Sequence, residues 1–386
     1  MELINSWING INEILWSYIL IILLLGCAVW FSFKTHFVQF RMIREMIRVL
    51  GDSTNKAHKG EKQISSFQAF AVSLASRVGT GNLAGVATAI AVGGAGAVFW
   101  MWIIALLGSS SAFIESTLAQ LYKQKGKDSF IGGPAYYMRH GLGLNWMGIL
   151  FAVLISVTFG FAFNSVQSNT ICAALQGSFN FNPTIVGIVL TILTLAIIFG
   201  GIQRIAKVSS IIVPIMALGY VLLALFIVLF NITELPAVIK LIINSAFGWE
   251  QALGGSVGAA LMMGIKRGLF SNEAGMGSAP IAHASAANDH PARQGLWGAF
   301  EVFFDSIVMC TITSLVILTS GLWKQTDKMT EGAMSSAAFE QAFSGGQYIV
   351  TIGLVLFAFA TIIAWYYYGE KCVEYLFKGK GTGMAR

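Results

Sequence analysis

Charge is what this sequence has least of: 11% of its 386 residues are Asp, Glu, Lys or Arg, where a soluble domain carries about 25%. With 56% hydrophobic residues and a mean hydropathy of +0.71, that shortage excludes an ordinary soluble fold and points to an all-α polytopic membrane protein. Cysteine is scarce as well. Cys27, Cys172, Cys310 and Cys372 stand singly in or beside apolar runs, without CxxC or metal-ligand spacing, and read as small core residues. The first basic residue, Lys34, follows the first apolar run, so the basic start of a cleavable signal peptide is missing and none is expected. No internal repeat is visible, and no nucleophile, base and orienting group stand in a catalytic arrangement, so an enzyme has no positive support. The net charge of +6 is spread between apolar runs instead of gathered on one face, which removes a nucleic-acid partner.

What the sequence does hold is a series of apolar runs long enough to cross hydrocarbon. Nine are expected, at 14–33, 67–92, 98–121, 146–175, 184–199, 211–230, 264–284, 296–318 and 348–368. The loop 34–62 carries Arg41, Arg44, Arg48, Lys56 and Lys59, which places it in the cytoplasm by the positive-inside rule. Threading on from there puts the N-terminus outside and the C-terminus inside. With Lys266 and Arg267 assigned to the inner boundary, only Lys240, Lys324 and Lys328 fall outside, and Arg77 falls in the membrane, of the 24 Lys and Arg. Residues 1–378 then form a single transmembrane domain in the lipid bilayer, and 379–386 a polar tail.

Two of the runs are interrupted. ASRVGTGNLAGVATAIAVGG, from Ala75, and GIKRGLFSNEAGMGSAPIAHA, from Gly264, mix glycines, polar groups and charges into membrane-length segments. Glycine and asparagine weaken a helix interior, and a charge in hydrocarbon has to face protein or water. Broken backbone at this depth is tolerated only where it lines a cavity, and a pair of such breaks is the best sequence pointer to a transporter's binding site. Gly79, Gly81 and Gly85 do not have dinucleotide-loop spacing and follow no strand. Gly81 and Gly85 could serve close helix packing, but packing does not call for Arg77, Thr80 and Asn82 beside them.

Glu273 is expected to neutralise a nearby base, Arg77 first, with Lys266 and Arg267 as the other candidates. Glu115, Glu301 and Asp305 read as structural pairs or interfacial groups, and His283 and His290 as interfacial polar residues. Trp365 to Tyr368 reads as an interfacial aromatic belt, with Trp365 closing a pocket as the alternative.

At these residues the sequence resembles the alanine or glycine:cation symporters, also called the sodium:alanine symporter family. The resemblance rests on VGTGNLAGVATAIAVGGAGAVFWMW, NSVQSNT, RGLFSNEAGMGSAPIAHA, HPARQGLWGAFEVFFD and FAFATIIAWYYYGEKCVEYLF, and extends over nearly all of 14–378. It implies a leucine-transporter-like inverted-repeat fold with an extra N-terminal helix. Family members continue for two more spans, so it also implies that the last two helices are lacking and the second repeat is incomplete. The implied function is sodium-coupled import of small neutral amino acids, L- or D-alanine and glycine, by alternating access, without a cofactor.

The implied substrate residues are Thr80, Gly81, Gln167, Phe270, Asn272 and Trp365. Sodium is expected at the carbonyls of Ala75 and Val78 and the hydroxyl of Thr361, with Asn82 as a further ligand. Two alternatives stand beside this reading: a proton-coupled carrier using Glu273, and a truncated, non-transporting membrane binding protein.

Overall fold

Backbone groups in hydrocarbon have to bond within their own segment, and this chain meets that demand with helices. The structure, a computed structural model, describes residues 2–52, 64–126, 129–248, 257–324 and 331–377. The expected polar tail at 379–386 lies outside the described residues.

In chain order the helices are α1 (Asn5–Lys34), α2 (Ser66–Arg77), α3 (Gly81–Gly93), α4 (Gly96–Leu121), α5 (Pro134–His140), α6 (Asn145–Phe179) and α7 (Pro183–Ile198). They continue with α8 (Gly201–Phe230), α9 (Leu235–Phe247), α10 (Val257–Asn272), α11 (Ala279–Ala284), α12 (Pro291–Ser320), α13 (Glu331–Ala342) and α14 (Gly346–Leu376). Six of them, α1, α4, α6, α8, α12 and α14, are long and apolar enough to cross a membrane. Two short helices, Val38–Arg41 and Ile43–Asp52, follow α1.

Local chemistry sets many of the starts. Proline opens α5, α7 and α12, where its missing N–H is no loss. At α2, Ser65 Oγ accepts from Gln68 N at 3.1 Å while Gln68 Oε1 accepts from Ser65 N at 3.0 Å, a reciprocal cap. His290 accepts from Ala292 N at 3.2 Å through Nδ1 and so caps α12.

Both interrupted runs are broken helices. The run at 67–92 divides into α2 and α3 around an extended Val78 (ψ 94°), and the run at 264–284 into α10 and α11 around residues 273–278. Three details differ from the hydropathy reading. Arg204 and Lys207 ride on α8 instead of a loop, because the turn before it is already complete at Phe199–Gly200. The two loops expected outside contain the helices α9 and α13. Lys266, expected at the inner boundary, donates to Ser17 Oγ midway along α1, at 3.0 Å.

Helix α4 packs against both α10 and α12. A Cβ at Gly298 of α12 would stand 2.3 Å from Ser116 Oγ and 2.9 Å from the Ala112 carbonyl of α4, so this close approach requires glycine. Within α12, residues Phe303–Cys310 take the wider π-helical winding, a distortion that often marks functional stretches. Apolar side chains such as Leu154 on α6, Ile192 on α7 and Ile215 on α8 are exposed, a surface suited to lipid.

Candidate functional site

The two breaks meet. A small pocket, partly open to the outside, lies between Ser76, Arg77, Gly79, Thr80 and Gly81 of the first break and Phe270, Glu273 and Met276 of the second. Phe163 and Gln167 of α6 and Trp365 of α14 complete its wall. Of the substrate residues named from the sequence, Thr80, Gly81, Gln167, Phe270 and Trp365 line it together. Asn272 does not: it is fully buried, with Nδ2 3.3 Å from Ser306 Oγ and Oδ1 accepting from Ala274 N at 3.0 Å, so it braces the second break against α12.

Three aromatic rings form one side. Phe163 lies 5.3 Å from Trp365 and 6.2 Å from Phe270, centroid to centroid. Trp365, Tyr367 and Tyr368 are buried, which corrects the expected interfacial belt: α14 is enclosed at this level by α2, α6 and α8. Gln167 is buried, and its Oε1 has no hydrogen-bond partner among the described residues. Gly79 touches α14 so closely that a Cβ there would stand 2.9 Å from Thr361 Oγ1.

Glu273 does not form the expected ion pair with Arg77. The Arg77 side chain is fully buried, with Nη1 3.4 Å from Glu301 Oε2 and Nη2 4.0 Å from Glu115 Oε1. Glu301 is held further by Ser73 Oγ at 2.6 Å and by His283 Nε2 at 3.2 Å. His283, expected at an interface, is instead wholly buried, with Nδ1 2.7 Å from Gln294 Nε2. These contacts pin α2, α4, α11 and α12 to one another at the pocket, which Arg77 itself lines.

Glu273 has its own partners: Ser278 Oγ at 2.5 Å, Ser76 Oγ at 3.3 Å and Trp365 Nε1 at 3.3 Å. Nearer the surface, Gln120 Nε2 donates to the carbonyls of His283 and Ala286, at 2.5 and 3.1 Å, and fastens the end of α11 to α4. Lys123, in the loop beyond α4, donates to Ala286 O at 2.8 Å, and burial pushes its amine down to about 8.

Two oxygen-rich places lie beside the pocket. In one, Thr361 Oγ1 donates to Ala75 O and to Phe357 O, each at 2.9 Å, which brings two of the expected sodium ligands together. Asn82, named with them, turns elsewhere. Its Oδ1 accepts from Gly79 N at 3.0 Å, and its Nδ2 lies 2.7 Å from Asp305 Oδ1 and 3.2 Å from Ser271 Oγ. Asp305 is fully buried and also accepts from Ser271 at 2.8 Å and Ser306 at 3.1 Å. Asp305 therefore joins both broken helices to the π-helical stretch of α12. The sequence carries a signal for this that composition alone hides: Gln294, Gly298, Glu301 and Asp305 fall at spacings of three and four along one helix face.

Comparison with known proteins bears on what such a site carries. The model of the sodium:alanine symporter family matches residues 1–385. The chain is 49% identical over 382 residues to the probable sodium/glutamine symporter GlnT of Bacillus subtilis, covering 98% of this chain and 79% of that protein. It is 49% identical over 373 residues to the amino-acid carrier protein AlsT of the same organism, covering 96% and 78% of the two chains. It is 40% identical over 388 residues to the sodium/alanine symporter AgcS of Methanococcus maripaludis, covering 99% and 85%.

Proposed function

Because the chain belongs to the sodium:alanine symporter family, a family of transporters and not of enzymes, we propose that it imports alanine and glycine together with sodium by alternating access. The observation that carries this reading is the pocket between the two helix breaks, walled by Thr80, Gly81, Gln167, Phe270 and Trp365. A zwitterion needs donors for its carboxylate and acceptors for its ammonium. The first turn of α3, at Thr80 and Gly81, supplies amides at the positive end of a helix dipole. The Gln167 carboxamide oxygen, which lacks a partner among the described residues, is an acceptor contributed by α6. Phe163, Phe270 and Trp365 wall the pocket closely, which favours a short side chain.

Sodium, a hard cation, takes oxygen ligands. The Ala75 carbonyl and Thr361 hydroxyl, 2.9 Å apart, fit that preference, with the Val78 carbonyl three residues on from Ala75. An ion there would tie the first break to α14 and so stabilise the arrangement that accepts substrate. Asn82 serves the ion through the neighbouring Asp305 cluster in the same reading. The wider architecture we propose is leucine-transporter-like, with inverted repeats after an extra N-terminal helix, the N-terminus outside and the C-terminus in the cytoplasm.

The name of the GlnT relative favours a second reading, glutamine as substrate. Uptake of labelled alanine into proteoliposomes separates the two. Alanine should accumulate with an inward sodium gradient and not with choline. Unlabelled glycine and D-alanine should compete, and leucine should not. Competition by glutamine stronger than by glycine would replace the small-substrate reading, and equal uptake in choline would replace sodium coupling.

A further inference from the structure

Among the described residues one carboxylate of the pocket has no cation within 4.0 Å, and the way it is held points to its use. Arg77, Glu115, Glu273 and Glu301 are all buried. The single guanidinium lies within 4.0 Å of Glu301 and Glu115 but not of Glu273, and Glu301 also has His283 within reach at 3.2 Å. Glu273 receives Ser278, Ser76 and Trp365, three neutral groups from the second break, α2 and α14. A carboxylate offers about four acceptor sites, so three hydrogen bonds leave capacity on Oε1, which has only the 3.3 Å contact with Trp365. An ionisable side chain at this depth that lacks a direct ion pair is costly and marks a functional group by default.

The backbone makes the same point independently. Glu273 has φ +50°, one of only four positive-φ residues other than glycine among the described residues. A left-handed glutamate is strained, and such strain persists where surrounding structure imposes it at a working site. Here it presents the carboxylate to the pocket that Thr80, Gly81 and Gln167 also line.

We infer that Glu273 is the counter-charge for the ammonium group of the transported amino acid. This rests on the amino-acid reading of the pocket proposed above. The substrate carboxylate lies at the first break and its ammonium bridges Gln167 Oε1 and Glu273, so the two broken helices are joined through the substrate itself. The ligand class follows: primary α-amino acids bind, and molecules with the carboxylate but no ammonium, such as propionate, do not.

The test is sodium-dependent alanine binding to purified protein, with Glu273→Gln and Glu273→Asp as variants. Glu273→Gln should weaken alanine about 100-fold, as expected when one partner of a buried charge pair is neutralised, while stabilisation by sodium alone stays unchanged. Glu273→Asp withdraws the carboxylate by one methylene, so β-alanine, whose ammonium stands one methylene farther out, should gain on alanine. That exchange of preference would not follow from a merely structural role, and it decides the matter if the Gln variant does not fold. Alanine affinity within threefold of wild type in Glu273→Gln, or loss of the sodium effect with alanine binding retained, overturns the inference. If wild type binds no amino acid at all, the amino-acid reading of the pocket falls, and this inference with it.

Discussion

Removing the guanidinium of Arg77 tests how the membrane interior keeps its charges. Nη1 stands 3.4 Å from Glu301 and Nη2 4.0 Å from Glu115. At an effective dielectric of about 20 these separations correspond to roughly 5 and 4 kcal/mol of attraction before desolvation is subtracted. Breaking a buried pair by removing one partner costs about 3–5 kcal/mol, because the other is left uncompensated. Arg77→Ala should therefore lose that much stability, measured by SDS-induced unfolding of detergent-purified protein.

Glu301→Gln in the same background removes the stranded charge yet keeps an acceptor for Ser73, and should recover about 2 kcal/mol. Coupling between Arg77 and Glu273 in a parallel cycle should be clearly smaller, since Glu273 is held by neutral groups. Strict additivity of Arg77→Ala and Glu301→Gln, or a larger coupling to Glu273, would refute the assignment of partners.

Thr361→Ala should raise the sodium concentration needed for half-maximal alanine uptake far more than it lowers the maximal rate. Thr361→Ser should stay near wild type, and Ala360→Ser should tighten sodium binding by adding a second hydroxyl; an unchanged sodium dependence in Thr361→Ala would move the ion to the Asp305 cluster. Lys123, with its amine near 8, should be roughly half neutral at pH 8, where an ordinary lysine near 10.4 is almost wholly protonated. An acylating reagent should then modify Lys123 at pH 8 well ahead of the exposed Lys125, as read by peptide mass spectrometry, and equal rates would contradict its burial. The sign for folding is the same. Folding favours release of this proton, so Lys123 opposes the folded state below about pH 8, and the penalty fades as pH rises toward the ordinary lysine value.

Both breaks were legible in the sequence because glycine, asparagine and charge inside an apolar run contradict a continuous spanning helix. Five of the six substrate residues also meet in one pocket. What the sequence left open was rotation. A run apolar all round, such as α14, does not say which way Trp365 or Tyr368 points, so a buried wall read as a surface belt. Arg77 and Glu301 are 224 positions apart, and Glu301 reaches Arg77 only because glycines bring α12 hard against α4. Sequence proximity to a break favoured Glu273 as the partner, but its neighbours Ser278, Ser76 and Trp365 hold it instead.

The wide winding of α12 at Phe303–Cys310 has a consequence for insertions and deletions. Before it and in its first turn, the helix turns Glu301 and Asp305 toward the breaks. After it, Thr311 meets Trp102 Nε1 at 2.7 Å and Thr313 meets Tyr220 OH at 2.6 Å. The two halves thus have different helical phases, and the extra backbone in the loose turns sets the offset. Deleting one residue there, by tightening the turns to ordinary α winding, would rotate one half against the other by about 100°. Thr311 and Thr313 would then leave α4 and α8, or Asp305 would leave Asn82 and Ser271. In this stretch the number of residues is under tighter constraint than the identity of most of them.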